Sequence, residues 1–108
     1  MDTISFSDFK KLEIRIGTIT SAEKIEESER LLKLNINFGE QERQIVAGIS
    51  EFYSPRELVN TQVPVILNMD PRKIMGVESQ GMILAADSQG EPVLLKPEKH
   101  VASGSVVR

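Results

Sequence analysis

The chain has 108 residues, of which 40% are hydrophobic and 27% charged, and its 13 basic and 16 acidic side chains give a net charge of −3. This length predicts one domain with one modest core. The absence of cysteine excludes disulfides, a thiol nucleophile and a zinc–thiolate site, and a single histidine, His100, argues against a catalytic triad. No signal peptide and no apolar run of ~18 residues is found. We therefore expect a cytoplasmic, non-catalytic domain that needs neither cofactor nor metal and does not enter a membrane.

The chain begins with a predicted short helix followed by a bent strand. Ser5 is a suitable N-cap, and Asp8 occupies the N3 position of a capping box. From Leu12 to Ile16 apolar residues alternate with charged ones, which is typical of a half-buried strand. The alternation changes phase at Gly17, and a glycine at such a point predicts a β-bulge that bends the strand.

Two further strands and a second short helix are predicted next. Residues 32–38 alternate between apolar and polar side chains, and residues 44–49 form another strand after a hairpin connection. Ser54 is followed by Pro55 at the first helical position and by Glu57 three residues later, which is a second capping box. Three strands therefore precede this helix.

The second half supplies two more strands. Residues 63–69 are predicted as a strand, and Pro64 within them indicates a sheet edge or a bulge. Asp70 and Pro71 have the chemistry of a type I turn, and residues 81–86 form the fifth strand. Three strands, a helix and two strands are the layout of the five-stranded oligonucleotide/oligosaccharide-binding (OB) barrel.

We therefore predict an all-β domain over residues 1–108. The barrel occupies about residues 12–86, and a C-terminal extension occupies about residues 87–108. The extension contains apolar residues that require burial, namely Val93, Leu94, Leu95, Val101, Val106 and Val107. They pack either on the barrel or against the same segment of a second chain, and the composition does not distinguish these alternatives.

Candidate binding residues are few, and each also has an ordinary structural explanation. Lys33 lies on the strand face opposite the core and Arg72-Lys73 follows a turn, positions that are usually just solvated. Asn68 equally suits a bond to the backbone, and a methionine such as Met82 usually fills a core. Few aromatic residues remain free to stack on bases. A nucleic-acid partner is therefore expected to be folded and rich in phosphates rather than an extended strand.

Five segments carry a resemblance to known proteins: 30–34 (RLLKL), 44–49 (QIVAGI), 53–59 (YSPRELV), 68–76 (NMDPRKIMG) and 78–86 (ESQGMILAA). In this order they resemble the tRNA-binding domain that is appended to methionyl-tRNA synthetases and also occurs as a separate subunit or a small stand-alone protein. The resemblance implies an OB-fold that binds tRNA by shape, with little sequence preference. It also implies a homodimer built through the C-terminal extension, and the catalytic synthetase chain as a further partner, near which tRNA would be concentrated.

The resemblance also implies which residues contact tRNA, namely Arg30, Lys33, Asn68, Arg72, Lys73, Ser79 and Met82. Arg30 stands where the family usually has a lysine, so the charge is kept. Asp70 replaces a frequent lysine, Asn60-Thr61 replaces a common Gly-Lys pair, and Ala47 replaces a usual serine. Two expected basic charges are thus missing and one acid is added, which implies weak, salt-sensitive binding.

A second reading comes from a related branch of the same superfamily, which is a dimeric, chaperone-like peptide binder associated with protein export. The acidic balance and the missing lysines favour this alternative, whereas the 30–34 segment favours the tRNA-binding branch. An exposed apolar patch larger than a few hundred Å² on the open barrel face would favour peptide binding.

Overall fold

A computed structural model describes residues 1–108 and confirms the all-β class. In chain order the elements are α1 (Phe6–Phe9), β1 (Ile14–Lys24), β2 (Leu32–Asn37), β3 (Glu42–Ala47), α2 (Pro55–Leu58), β4 (Gln62–Ile66), β5 (Arg72–Ile74), β6 (Val77–Ser79), β7 (Met82–Ile83), β8 (Ala85–Ser88) and β9 (Glu91–Leu94). An antiparallel five-stranded sheet has the order β3-β2-β1-β4-β7, and β5-β6 and β8-β9 form two small hairpins. The nearly closed barrel is consistent with an OB-like fold. No helix has the length and apolar character needed to span a membrane.

The core lies inside this curved sheet, on the faces that the alternating pattern predicts. On β2, Leu32, Leu34 and Ile36 are fully buried while Asn35 between them is exposed. Burial of one such aliphatic side chain stabilises a fold by about 1.5–3 kcal/mol. Eleven residues form the main cluster: Ile19, Leu32, Leu34, Ile36, Phe38, Ile45, Ile49, Leu58, Val63, Val65 and Leu67.

Both predicted helices are confirmed, together with their N-terminal caps. The backbone N–H of Asp8 donates to the Ser5 hydroxyl at 3.0 Å. At the second helix the backbone N–H of Ser54 donates to the Glu57 carboxylate at 3.2 Å. Each cap satisfies a backbone group that a short helix would otherwise leave to water.

The bulge in β1 is displaced from its predicted position. The register of β1 against β2 shifts between Ile19 and Ser21, so the prediction of a bulge at Gly17 is wrong. Gly17 is required by close packing instead. A Cβ atom there would lie 2.6 Å from Cε1 of Phe38 and closer still to Cγ2 of Ile36, both of them core side chains.

Replacing Gly17 with alanine is therefore expected to destabilise the fold by about 1–3 kcal/mol, the usual cost of overpacking a core. Urea unfolding measures the change. Gly48→Ala is the matched control, because a Cβ atom at Gly48 meets nothing within 4 Å. Equal unfolding midpoints for the two variants would contradict this account of Gly17.

Pro64 does not mark a sheet edge, because β4 lies between β1 and β7. The carbonyl of Pro64 accepts from the Leu84 N–H, so the N–H that proline lacks would point to the same side of β4. The ladder with β7 covers only Val65 and Ile66. Pro64 therefore bonds to Leu84 through its carbonyl alone, and the missing reciprocal N–H ends the ladder at Val65.

The C-terminal extension divides into a hairpin and a docked tail. The tail packs on the barrel of its own chain, since Gly104 N–H donates to the Ile16 carbonyl at 2.7 Å and Val106 bridges to Arg15. The β8–β9 hairpin instead leaves apolar side chains exposed, including Val93 and, just after it, Leu95. The backbone of the tail therefore follows the first packing alternative, but Val106 and Val107 are exposed.

Candidate nucleic-acid interface

Three of the predicted site residues meet in one narrow cleft of about 60 Å³ beside the β5–β6 hairpin. We call it the Arg72 cleft, and its lining residues are Val46, Met69, Asp70, Arg72, Ile74, Ser79, Gly81 and Met82. Arg72 and Met82 are exposed there, whereas Ser79 is buried. The cleft is too small to enclose a ligand, so its exposed rim is what it offers to a partner.

The two basic residues of β5, Arg72 and Lys73, have no ion-pair partner. Arg72 and Lys73 are exposed, and neither forms an ion pair. Arg72 lies opposite Ser79 and Lys73 opposite Glu78 in the hairpin register, so the two cations lie on opposite faces of the hairpin. Arg72 is thus the cation of the cleft, and Lys73 flanks it from the other face.

Ser79 is placed to position the cleft rather than to contact a partner. Only 5% of the residue is exposed. Its hydroxyl accepts from the Val46 N–H at 3.0 Å and donates to the Gly81 carbonyl at 3.1 Å. These bonds join β3 to the turn between β6 and β7, and so close the barrel beneath Arg72.

The Asn68 side chain forms hydrogen bonds to the backbone, which is the structural role that its position at a strand end also suits. Its Oδ1 accepts from the Glu13 N–H at 2.9 Å, and its Nδ2 donates to the Lys11 carbonyl at 2.5 Å. The amide therefore fixes the chain where it enters β1. Its neighbour Met69 lines the Arg72 cleft, so Asn68 borders the cleft without lining it.

Lys33 lies one strand from the cleft and is paired with a carboxylate. In the sheet register it stands between Glu23 on β1 and Val46 on β3, and Val46 lines the cleft. Its Nζ lies 2.6 Å from Oε1 of Glu23, with the two side chains 35% and 63% exposed. An exposed pair of this kind contributes about 0–1 kcal/mol, so another anion can displace the carboxylate.

Arg30 is not brought to the Arg72 cleft. It lines a different depression, shared with Gly48, Phe52 and the β8–β9 hairpin, where its Nε lies 3.7 Å from Oε1 of Glu51. The seven predicted residues therefore comprise a cleft group (Arg72, Ser79 and Met82), its neighbours (Lys33, Asn68 and Lys73) and the separate Arg30.

The sequence pattern does not single out Arg43, which the structure places at the seam of the barrel. Its Nη1 donates to the Leu67 carbonyl at 2.6 Å and to the Gln80 carbonyl at 3.2 Å. The sequence feature that could identify it is its place in the alternation of β3. Arg43 precedes buried Ile45 by two residues, so a charged residue stands at an inward-facing position of the strand. The predicted strand begins at residue 44 and therefore does not include Arg43.

Comparison with known proteins identifies the family. The model described as "Putative tRNA binding domain" matches residues 14–106. The methionine–tRNA ligase of Methanothrix thermoacetophila is 53% identical over 105 residues, which are 97% of this chain and 16% of that enzyme. The chain thus spans only 16% of the length of this relative.

Two solved structures have the same fold over essentially the whole chain. A MetRS-related protein from Pyrococcus horikoshii superimposes with a TM-score of 0.95 at 35% identity, covering 100% of both chains. The chaperone CsaA of Bacillus anthracis has a TM-score of 0.90 at 31% identity, covering 99% of this chain and all of that one. From the family match, these likenesses and the resemblance of the five segments, we conclude that this chain belongs to the tRNA-binding domain family.

Proposed function

We propose that this domain binds tRNA without catalysing a reaction, with little sequence preference, as a homodimer. It acts alone or as an auxiliary domain or subunit of methionyl-tRNA synthetase. The observation that carries the proposal is the exposed, unpaired Arg72 at the rim of a cleft on a chain of this family. Unpaired guanidinium groups suit phosphate oxygens, which accept charge-assisted hydrogen bonds.

The lack of aromatic residues at the Arg72 cleft supports a folded RNA, rather than an extended strand, as the partner. Of the five aromatic residues, Phe38 is in the core and Tyr53 packs against it. Phe6 and Phe9 belong to α1, and exposed Phe52 lines the separate depression that contains Arg30. No aromatic residue lines the Arg72 cleft. A site without stacking platforms gains little from unpaired bases, so phosphates presented by a folded RNA are the better match.

This preference is tested by fluorescence anisotropy with two labelled RNAs of similar length, bulk tRNA and an unstructured polyuridine. The proposal expects tRNA to bind at least several-fold more tightly at the same salt concentration. Equal or tighter binding of polyuridine would overturn recognition of folded RNA.

The Glu23 carboxylate occupies the position on Lys33 that a phosphate would take, so we expect Glu23→Gln to strengthen tRNA binding by roughly fivefold. The variant removes a competing anion and its repulsion of phosphates. Glu26→Gln is the control for net charge, because Glu26 is exposed and forms no ion pair. Anisotropy titrations at one low salt concentration provide the comparison, and equal gains in both variants would show only a general charge effect.

The homodimer is supported by apolar side chains that this chain leaves uncovered. Phe52, Val93 and Leu95 are each more than a third exposed. Phe52 lines the depression beside the β8–β9 hairpin, and the Tyr53 hydroxyl accepts from the Leu94 N–H at 3.0 Å, which holds the hairpin near α2. A second copy that covers this surface would bury it at a C2 interface, the commonest form of association between identical chains.

Peptide binding is the second candidate, and the likeness to CsaA favours it. That solved structure is described as a chaperone and matches the fold at a TM-score of 0.90. The net charge of −3 and the same exposed apolar residues are compatible with a protein ligand. The free cation at the Arg72 cleft remains the feature that favours tRNA.

A further inference from the structure

We propose that Arg43 is a further phosphate-binding residue, and that the backbone of bound tRNA continues from the Arg72 cleft over Pro71 to Arg43. This inference rests on the proposed function. The region between them is a groove of about 320 Å³, here called the Arg43 groove. Its lining residues are Gln41, Glu42, Arg43, Met69, Pro71 and Gln80.

The guanidinium of Arg43 has one nitrogen free. Nε donates to Oε1 of Gln41 at 3.1 Å, and Nη1 donates to the carbonyls of Leu67 and Gln80. Nη2 has no partner in the protein. Because no buried side-chain nitrogen or oxygen lacks a hydrogen bond, Nη2 must contact solvent. Nη2 is therefore the nitrogen of this guanidinium that can donate to a phosphate oxygen.

The charge of Arg43 is also not neutralised. All three of its acceptors are uncharged, and no carboxylate lies within ion-pair distance. The carboxylate that lines the groove, Glu42, accepts from the Thr20 hydroxyl at 3.1 Å and alternates with Arg43 along β3. Arg43 thus offers a full positive charge at the barrel seam.

The groove lies beside the Arg72 cleft, because Met69 lines both. On its other side Arg43 borders a larger cleft of about 600 Å³ that also contains Glu13, Arg15 and Glu40. There the Arg15 guanidinium is paired with Glu13 at 2.6 Å, so the second arginine is compensated and Glu40 adds a negative charge. The favourable path for a phosphate chain therefore ends at Arg43.

Arg43 is also held in place before a ligand arrives. Three hydrogen bonds fix its side chain, so binding costs little of the rotamer entropy that a free arginine loses. Exposed Arg72 has no such restraint. A fixed contact next to a flexible one favours an RNA surface of matching shape, which agrees with recognition of a folded molecule.

The test compares Arg43→Gln, Arg43→Lys and Arg56→Gln by titrating tRNA at several salt concentrations. Arg56 is an exposed α2 residue that forms no ion pair and lines none of the clefts described, so it controls for net charge. We expect Arg43→Gln to reduce the slope of log affinity against log salt by about 0.7–0.9, one phosphate contact. Arg43→Lys should keep most of that slope because it keeps the charge, and Arg56→Gln should keep all of it.

A purely structural role predicts a different pattern. Both Arg43 variants would then melt at lower temperature with an unchanged salt slope, which would overturn the inference. If Arg43→Gln fails to fold, the wild-type chain decides: bound tRNA should protect Arg43 from phenylglyoxal as it protects Arg72. If Arg43 is modified as fast as in the protein without tRNA while Arg72 is protected, this inference is overturned but the proposed function is not. Absence of tRNA binding by the wild-type chain would instead overturn the proposed function.

Discussion

Replacing Arg72 and Lys73 together with alanine should weaken tRNA binding by roughly thirtyfold to 150-fold at low salt, if each lost phosphate contact is worth about 1–1.5 kcal/mol, as for an ordinary hydrogen bond exposed to solvent. These two side chains are exposed and form no ion pair, so their charge is available in the free protein. The salt dependence should also fall, by about 0.7–0.9 in slope for each phosphate released. Thermal stability should be unchanged because neither side chain belongs to the core.

The matched control for this double variant is Lys96→Ala/Lys99→Ala. It removes the same charge from two exposed residues of the C-terminal extension, away from the Arg72 cleft. Anisotropy with labelled bulk tRNA measures both variants over a range of salt. If the control loses as much affinity as the double variant, binding depends only on net charge and the assigned face is wrong.

Leu95→Asp is expected to convert the proposed homodimer into monomers. The exposed apolar surface around the β8–β9 hairpin would then carry a charge in each copy, and a buried unpaired carboxylate costs several kcal/mol at least. Light scattering should report a single chain of 12.0 kDa in place of twice that mass. Loss of the second copy should also lower the tRNA affinity, because two linked faces bind more tightly than one.

Leu12→Asp provides the comparison for the dimer variant. Leu12 is exposed to a similar extent, 41% against 43% for Leu95, but it lies between α1 and β1 and does not line the depression beside the β8–β9 hairpin. We expect this control to remain dimeric. A wild-type chain that is already monomeric at the same concentration would contradict the proposed homodimer, and a monomeric control would mean that the hairpin surface is not the interface.

Local sequence patterns predicted the barrel strands because they record burial directly. The alternation along β2 identifies Leu32, Leu34 and Ile36 as core residues, and the serine caps identify both helices. The β5–β6 hairpin was missed because its two-residue loop is Met75-Gly76, and both residues have positive φ angles, 53° and 79°. Methionine is an unusual residue in such a loop, whereas glycine is common there, so only one of the two residues indicates the turn.

The candidate site was predicted less completely because it depends on contacts between distant segments. Ser79 is buried by a bond to Val46, which lies 33 residues earlier, and Lys33 is neutralised by Glu23 on the neighbouring strand. A pattern read along one segment shows residue types but neither of these partners. The segment resemblance supplied candidate residues, and the structure assigned them different positions: Arg72 at the exposed rim, Ser79 beneath it, and Arg30 in another depression.

The most direct measurement titrates the wild-type chain with labelled bulk tRNA and, in parallel, with an unfolded peptide. We expect tRNA to bind at about 50 mM salt and its affinity to fall roughly a hundredfold for a fourfold rise in salt, as for about four neutralised phosphates. The peptide should bind weakly and with little salt dependence. Tight binding of the peptide with no binding of tRNA at low salt would contradict the account.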